Sequence, residues 1–124
     1  MKNTILLLFC SIIFCSCGST PEIEGFSKEA WANDIKGCNN HRGDLVKLLL
    51  ENKESLKGVS DKNLFKLLGK PDMQRYYERG KKSYLYFYEP GDQCDDASGQ
   101  KNGKRIAFEV NSLGVVVLIT EEIR

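Results

Sequence analysis

The chain has 124 residues, enough for one domain. Its 18 lysines and arginines are balanced by 17 aspartates and glutamates, so it lacks the basic excess that neutralises phosphates, which argues against general nucleic-acid binding. Hydrophobic residues at 41% and charged residues at 28% describe an ordinary globular domain with one small core rather than a disordered chain or a multi-span membrane protein. A single histidine, with no metal-ligand cluster and no glycine-rich phosphate loop, gives no reason to expect a metal or a cofactor.

The first segment reads as an export signal. Lys2 supplies one positive charge, and residues 4–14 then run apolar, interrupted only by Thr4 and Ser11. The run is too short to cross a hydrocarbon core of about 30 Å as a helix. It stops at Phe14-Cys15-Ser16-Cys17-Gly18-Ser19, which resembles a bacterial lipobox in the loose form of Bacteroidetes lipoproteins. Ser16 precedes the cleaved bond and Cys17 is the acylated residue, whereas Cys10 and Cys15 follow bulky phenylalanines where cleavage needs small residues. The expectation is a signal peptide over residues 1–16, a small, polar tether over 17–26 and one folded domain over 27–124. Loss of Lys2 leaves the mature chain neutral, so attachment to a membrane rests on the acyl chains rather than on charge. Gly18 after the cysteine, where Asp is absent, points by analogy with other lipoproteins to the outer membrane, facing the periplasm.

Two cysteines then remain, Cys38 and Cys94. An even pair in an exported chain suggests one disulfide, worth roughly 4 kcal/mol for the long loop it closes. A reactive thiol at Cys38, or a metal site using Cys38, His41 and Cys94, is the alternative. The second option lacks the second closely spaced ligand pair that structural zinc uses.

In chain order, Ser27 is a plausible N-cap for a short helix that Gly37 ends. Residues 43–57 carry an apolar stripe of Leu45, Val46, Leu48 and Leu49 and read as the strongest helix. Ser60 caps a further two-turn helix that buries Leu64, Leu67 and Leu68 and stops at Gly69 before Pro71. The periodicity then changes to strands over 73–78, 83–89, 105–110 and 115–121, with a turn at Gly80, a hairpin at Gly114 and a long polar loop over 89–103. The predicted fold is α+β, with two N-terminal helices packed on one face of a three- or four-stranded antiparallel sheet.

The stretch from Leu56-Lys57-Gly58-Val59-Ser60 to Leu67-Leu68-Gly69-Lys70-Pro71-Asp72, followed by a tyrosine-rich hairpin, resembles the SmpA/OmlA (BamE-like) small lipoproteins of the bacterial envelope. The β-lactamase-inhibitor-protein domain has a similar layout. The resemblance covers residues 44–123, is most specific over 58–72, and implies a non-enzymatic protein-interaction module that serves outer-membrane assembly or integrity and binds an envelope protein.

Among residues that could carry chemistry, His41 has no assigned nucleophile beside it. Asp92, Asp95 and Asp96 lack the fixed glycine and terminal glutamate of a calcium loop, and Glu78 and Glu89 have no visible partner acid. A small periplasmic enzyme or redox or metal protein using Cys38, His41 or the loop acids is the alternative reading. Strand alternation supplies the candidate partner surface. With Leu85, Phe87, Ile106 and Phe108 under the helices, Tyr84, Tyr86 and Tyr88 project together onto the open face as rigid amphipathic binding area.

Overall fold

A computed structural model describes residues 20–95 and 102–123. Four helices, α1 (Lys28–Asn33), α2 (Arg42–Glu51), α3 (Lys53–Leu56) and α4 (Asp61–Leu68), precede four strands, β1 (Met73–Tyr76), β2 (Lys82–Phe87), β3 (Arg105–Val110) and β4 (Val116–Glu122). The strands form one antiparallel sheet in the order β1-β2-β3-β4. The fold is α+β, as the change from helical to alternating periodicity implies.

The helices begin where side chains satisfy orphan amides. Ser27 accepts from the Ala30 amide at 3.2 Å, and Ser60 accepts from the Asn63 amide at 3.3 Å. Gly69 ends α4 at φ 75°, a conformation that costs glycine little. The helix expected over 43–57 is two helices. Asn52 closes the first with φ −103°, ψ 21° and donates its side-chain amide to the Leu48 carbonyl at 2.7 Å. That bond competes with the backbone ladder, as asparagine does inside helices.

Before α2 the chain makes a tight corner. Lys36 sits at φ 57° and Gly37 at φ 69°. A Cβ on Gly37 would stand 2.8 Å from the Tyr88 carbonyl carbon and 2.9 Å from the Phe87 oxygen, so only glycine lets this corner approach the end of β2. The buried Asp34 carboxylate holds the corner, accepting from the amides of Asn39 (2.7 Å), His41 (2.7 Å) and Arg42 (2.9 Å). It thereby serves the first amides of α2, which its N-cap, His41, does not.

One apolar cluster gathers Trp31, Val46, Leu49, Leu56, Leu64, Leu67 and Leu68 from the helices with Tyr84, Tyr86, Tyr88, Ile106, Phe108, Val110, Val116 and Ile119 from the sheet region. Ile23 belongs to it, and the Phe26 ring lies 5.7 Å from that of Trp31. Within the segment expected as a tether, Ile23 is thus buried and Phe26 packs against the cluster, while Glu24 and Gly25 stay exposed; a buried aliphatic contributes about 1.5–3 kcal/mol when taken from water.

The largest correction concerns the tyrosines. Tyr84, Tyr86 and Tyr88 do not project onto an open face; their exposures are 3%, 0% and 4%. The reason is register. Tyr84 lies opposite Phe108 and Tyr86 opposite Ile106, and residues directly opposite in an antiparallel pair share a face. Leu85 and Phe87 lie opposite Ala107 and Arg105 instead, so sharing a face with Ile106 and Phe108 would need a register shifted by one residue, and one residue exchanges the faces.

Arg42 crosses this core. Its Nε donates to the Trp31 carbonyl at 2.9 Å, and its Nη1 donates to the Phe87 carbonyl at 2.9 Å and to the Asp72 carboxylate at 2.8 Å. Both charged side chains are at least nine-tenths buried. Removing one partner of such a pair strands the other charge, so Arg42→Ala should lower unfolding free energy by about 3–5 kcal/mol in urea titrations. Adding Asp72→Asn to that variant should return part of the loss.

Candidate functional site

Cys17 lies outside the described residues. Cys38 and Cys94 form a disulfide with Cα atoms 5.8 Å apart, joining the corner after α1 to the loop after β2. Gln93, buried beside it, donates to the carbonyls of Glu89 (2.6 Å) and Lys36 (3.2 Å) and so ties the same two segments a second time. His41 is exposed. In the loop, Asp92 accepts from the Asn102 side chain at 3.0 Å, and Asp96 lies outside the described residues. Among the described residues no group of three or more His, Cys, Asp or Glu side chains is placed to hold a metal.

The buried tyrosines still keep their polar ends satisfied. Tyr86 donates to the Gly69 carbonyl at 2.8 Å, Tyr84 to Asp61 at 3.3 Å and Tyr88 to Glu121 at 3.0 Å. Burial raises the hydroxyl pKa of all three, with nearby Asp61, Asp72 and Glu121 adding to it respectively. Their rings carry structure: Tyr84 meets Phe65 edge-on at 4.9 Å, and Tyr86 meets Phe108 edge-on at 5.9 Å.

The other side of the sheet is closed by charge. Phe87, Arg105 and Glu122 stand in register across β2, β3 and β4. Glu122 accepts from Arg105 and Arg75, each at 2.7 Å. Burial pushes the Glu122 carboxyl up, but the hydrogen bonds from Arg75 and Arg105 outweigh it and hold it below the ordinary range. The Arg105 guanidinium also lies 5.9 Å from the centre of the Phe87 ring.

A groove of about 700 Å³ opens at the end of the sheet where β1 turns into β2, lined by Tyr77, Arg79, Lys81, Lys82, Glu109 and Val117 among others. The turn closes when the Tyr77 amide donates to the Lys81 carbonyl at 2.9 Å, with Arg79 at φ 62° and Gly80 at φ 76°. A left-handed arginine costs about 1–2 kcal/mol relative to an ordinary backbone. On the opposite wall, Glu109 pairs with Leu118 and Val110 with Val116, leaving Val117 as the extra residue of a β-bulge. Val117 is 49% exposed and Tyr77 48%. The Lys82 ammonium lies over the ring of exposed Tyr76 at 5.9 Å. The groove thus joins apolar walls to three cations against the carboxylates of Glu78 and Glu109. The strained Arg79 and the bulged Val117 depend on strand register, which composition does not carry, so the sequence reading missed them.

Searches of protein-family models, curated proteins and solved structures find nothing that matches this chain.

Two outcomes follow from this geometry. Because the folded-state hydroxyls of Tyr84, Tyr86 and Tyr88 are raised, the folded chain holds protons that the unfolded chain releases near pH 10, so stability is intact below about pH 10 and falls as pH rises beyond it. Tyrosinate absorbance for these three should grow only together with loss of the folded circular dichroism signal; ionisation without unfolding would place them at the surface. Separately, Cys94→Ala should lower unfolding free energy by about 2–5 kcal/mol, measured by chemical denaturation under non-reducing conditions.

Proposed function

We propose that this chain is an envelope lipoprotein, acylated at Cys17, whose domain is a non-enzymatic protein-interaction module that receives an acidic, apolar segment of an envelope protein in the Tyr77–Val117 groove. The observation that carries the reading is the groove itself: exposed apolar side chains meet three cations, one of them the strained Arg79, on a fold whose tyrosine row at Tyr84, Tyr86 and Tyr88 is buried. Exposed aromatic and arginine side chains dominate binding energy at interfaces, and Arg79, Lys81 and Lys82 favour a partner of opposite charge. The apolar run ending at Ser16-Cys17 supports the anchor. The Gly58 to Asp72 stretch, with its likeness to the BamE-like lipoproteins, supports an accessory role in outer-membrane assembly or integrity, facing the periplasm. In this reading the helical layer lies on the side of the sheet that bears Tyr84, Tyr86 and Tyr88, supported by the apolar cluster they share with Trp31, Leu64 and Leu68.

The test separates anchor from groove. Cys17→Ser should release the protein from the membrane pellet. Tyr77→Ser combined with Lys81→Glu should keep thermal stability and membrane attachment but lose the proteins cross-linked to the parent chain in intact cells. Cross-links unchanged in that double variant would refute the groove as the partner site.

A further inference from the structure

The loop that leaves β2 and enters β3 is closed at its neck by a ladder of short contacts. The Tyr88 amide donates to the Lys104 carbonyl at 3.0 Å, and the Lys104 ammonium lies 3.2 Å from the Glu89 carboxylate. Farther out, the Asn102 side-chain amide donates to the Asp92 carboxylate at 3.0 Å. Gly91 and Gly103 pack together between these rungs. A Cβ on Gly91 would stand 2.9 Å from the Gly103 Cα, and a Cβ on Gly103 would run into the side-chain amide of buried Gln93. Packing therefore requires glycine at 103. That requirement sets glycine directly after an exposed asparagine, the one Asn-Gly step among the eight asparagines of the chain.

An asparagine loses its amide when the next residue's backbone nitrogen closes a five-membered imide on its side-chain carbon. A side chain on that next residue obstructs the closure, and a hydrogen bond made by its amide opposes it. Gly103 has neither. Among the described residues no hydrogen bond engages its amide, and the Gln93 Oε1 packed against it is itself buried without a partner.

We propose that Asn102 is a self-modifying site. The Gly103 nitrogen bonds to the Asn102 Cγ, the Cγ–Nδ2 bond breaks, and ammonia leaves with the proton that the Gly103 amide gives up. Water then opens the imide. Attack at Cγ leaves aspartate, whereas attack at the main-chain carbonyl leaves isoaspartate, with the chain routed through the former side chain. The step consumes water alone.

Either product opens the neck. Aspartate at 102 sets a carboxylate against that of Asp92 where a donor stood, and like charges at that distance repel. Isoaspartate lengthens the backbone by one carbon beside Gly103, where it presses on Gln93, whose Nε2 holds the carbonyls of Lys36 and Glu89. The Cys38–Cys94 disulfide still fixes one side of the loop, so the change stays local and leaves helices and sheet in place. The neck lies at the opposite end of β2 from the Tyr77–Val117 groove, and its chemistry does not depend on the partner assigned there.

The test uses the full chain in detergent, aged under mildly alkaline, non-denaturing conditions and then digested for peptide mass spectrometry. Asn102 should be lost ahead of every other asparagine, giving both aspartate and isoaspartate, the latter detected with an isoaspartyl methyltransferase. Asn102→Gln keeps an amide donor but closes the larger ring slowly, and should resist ageing. In a second measurement, Asn102→Asp should speed hydrogen exchange at the Cys94 and Asp95 amides, which donate to the Gly91 and Asp92 carbonyls at 3.0 and 3.1 Å. Exchange in β2 and β3 should stay at the parental rate. Asn102 left intact in the folded chain, while a short peptide spanning the same step loses its amide, would overturn the site. Unchanged exchange at Cys94 and Asp95 in Asn102→Asp would overturn the opening of the neck.

Discussion

The guanidinium of Arg42 is the constraint on which the rest of the molecule turns. Bringing a charge to 4% exposure is unfavourable unless it is paired and hydrogen-bonded. Arg42 finds them in three parts of the chain at once: the carbonyl at the heart of α1, the carbonyl at the end of β2, and the Asp72 carboxylate just before β1. Asp72 then accepts from the Phe87 amide at 3.0 Å, so the same carboxylate fixes where β1 starts relative to where β2 ends. The guanidinium also lies 4.6 Å from the Trp31 ring centre, adding a cation–π contact in a desolvated setting. These bonds are directional where apolar packing is not. They therefore fix which of several compact arrangements the shared cluster adopts.

That constraint explains why the aromatic side chains form a continuous row rather than separate contacts. Trp31, held by its carbonyl and its ring, meets Phe26 on one side and Tyr86 on the other at 6.1 Å, and Tyr86 in turn meets Phe108. The N-terminal segment, α1 and two strands are thereby joined by rings in tilted or edge-on geometry, each pair worth about 0.5–1.5 kcal/mol beyond area burial. On the opposite face of β2, Leu85 and Phe87 are as fully buried as the tyrosines, at 0% and 1%. A strand covered on both sides is apolar at every position, which is how Tyr84 to Tyr88 reads.

The features legible in the sequence were local ones. Ser60, the spacing of Leu64, Leu67 and Leu68, and Gly69 mark α4 because capping and helical periodicity act within a few residues. The alternation of Ile106, Phe108 and Val110 marks β3 for the same reason. What could not be read was set by distant partners. The face of Tyr84, Tyr86 and Tyr88 depends on register across a long loop, and alternation alone offers two equal answers when both faces are apolar. Nothing local marks Asp34 and Arg42: Asp34 is buried against the amides of Asn39, His41 and Arg42, and Arg42 against the Trp31 and Phe87 carbonyls and the Asp72 carboxylate, partners that the fold brings together. The groove was hidden likewise, since Val117 turns outward only because a bulge shifts β4 against β3.

The docking of Ile23 and Phe26 changes what an anchor at Cys17 would mean. A free tether running to residue 26 would let the domain sample a wide shell above the bilayer. With Ile23 in the core and the Phe26 amide turned back to the Ile23 carbonyl at 3.1 Å, the chain from Cys17 to the fold spans at most about 20 Å when fully extended. That is less than the length of the domain's own longer elements laid end to end, so the acylated chain would hold one end of the molecule close to the lipid.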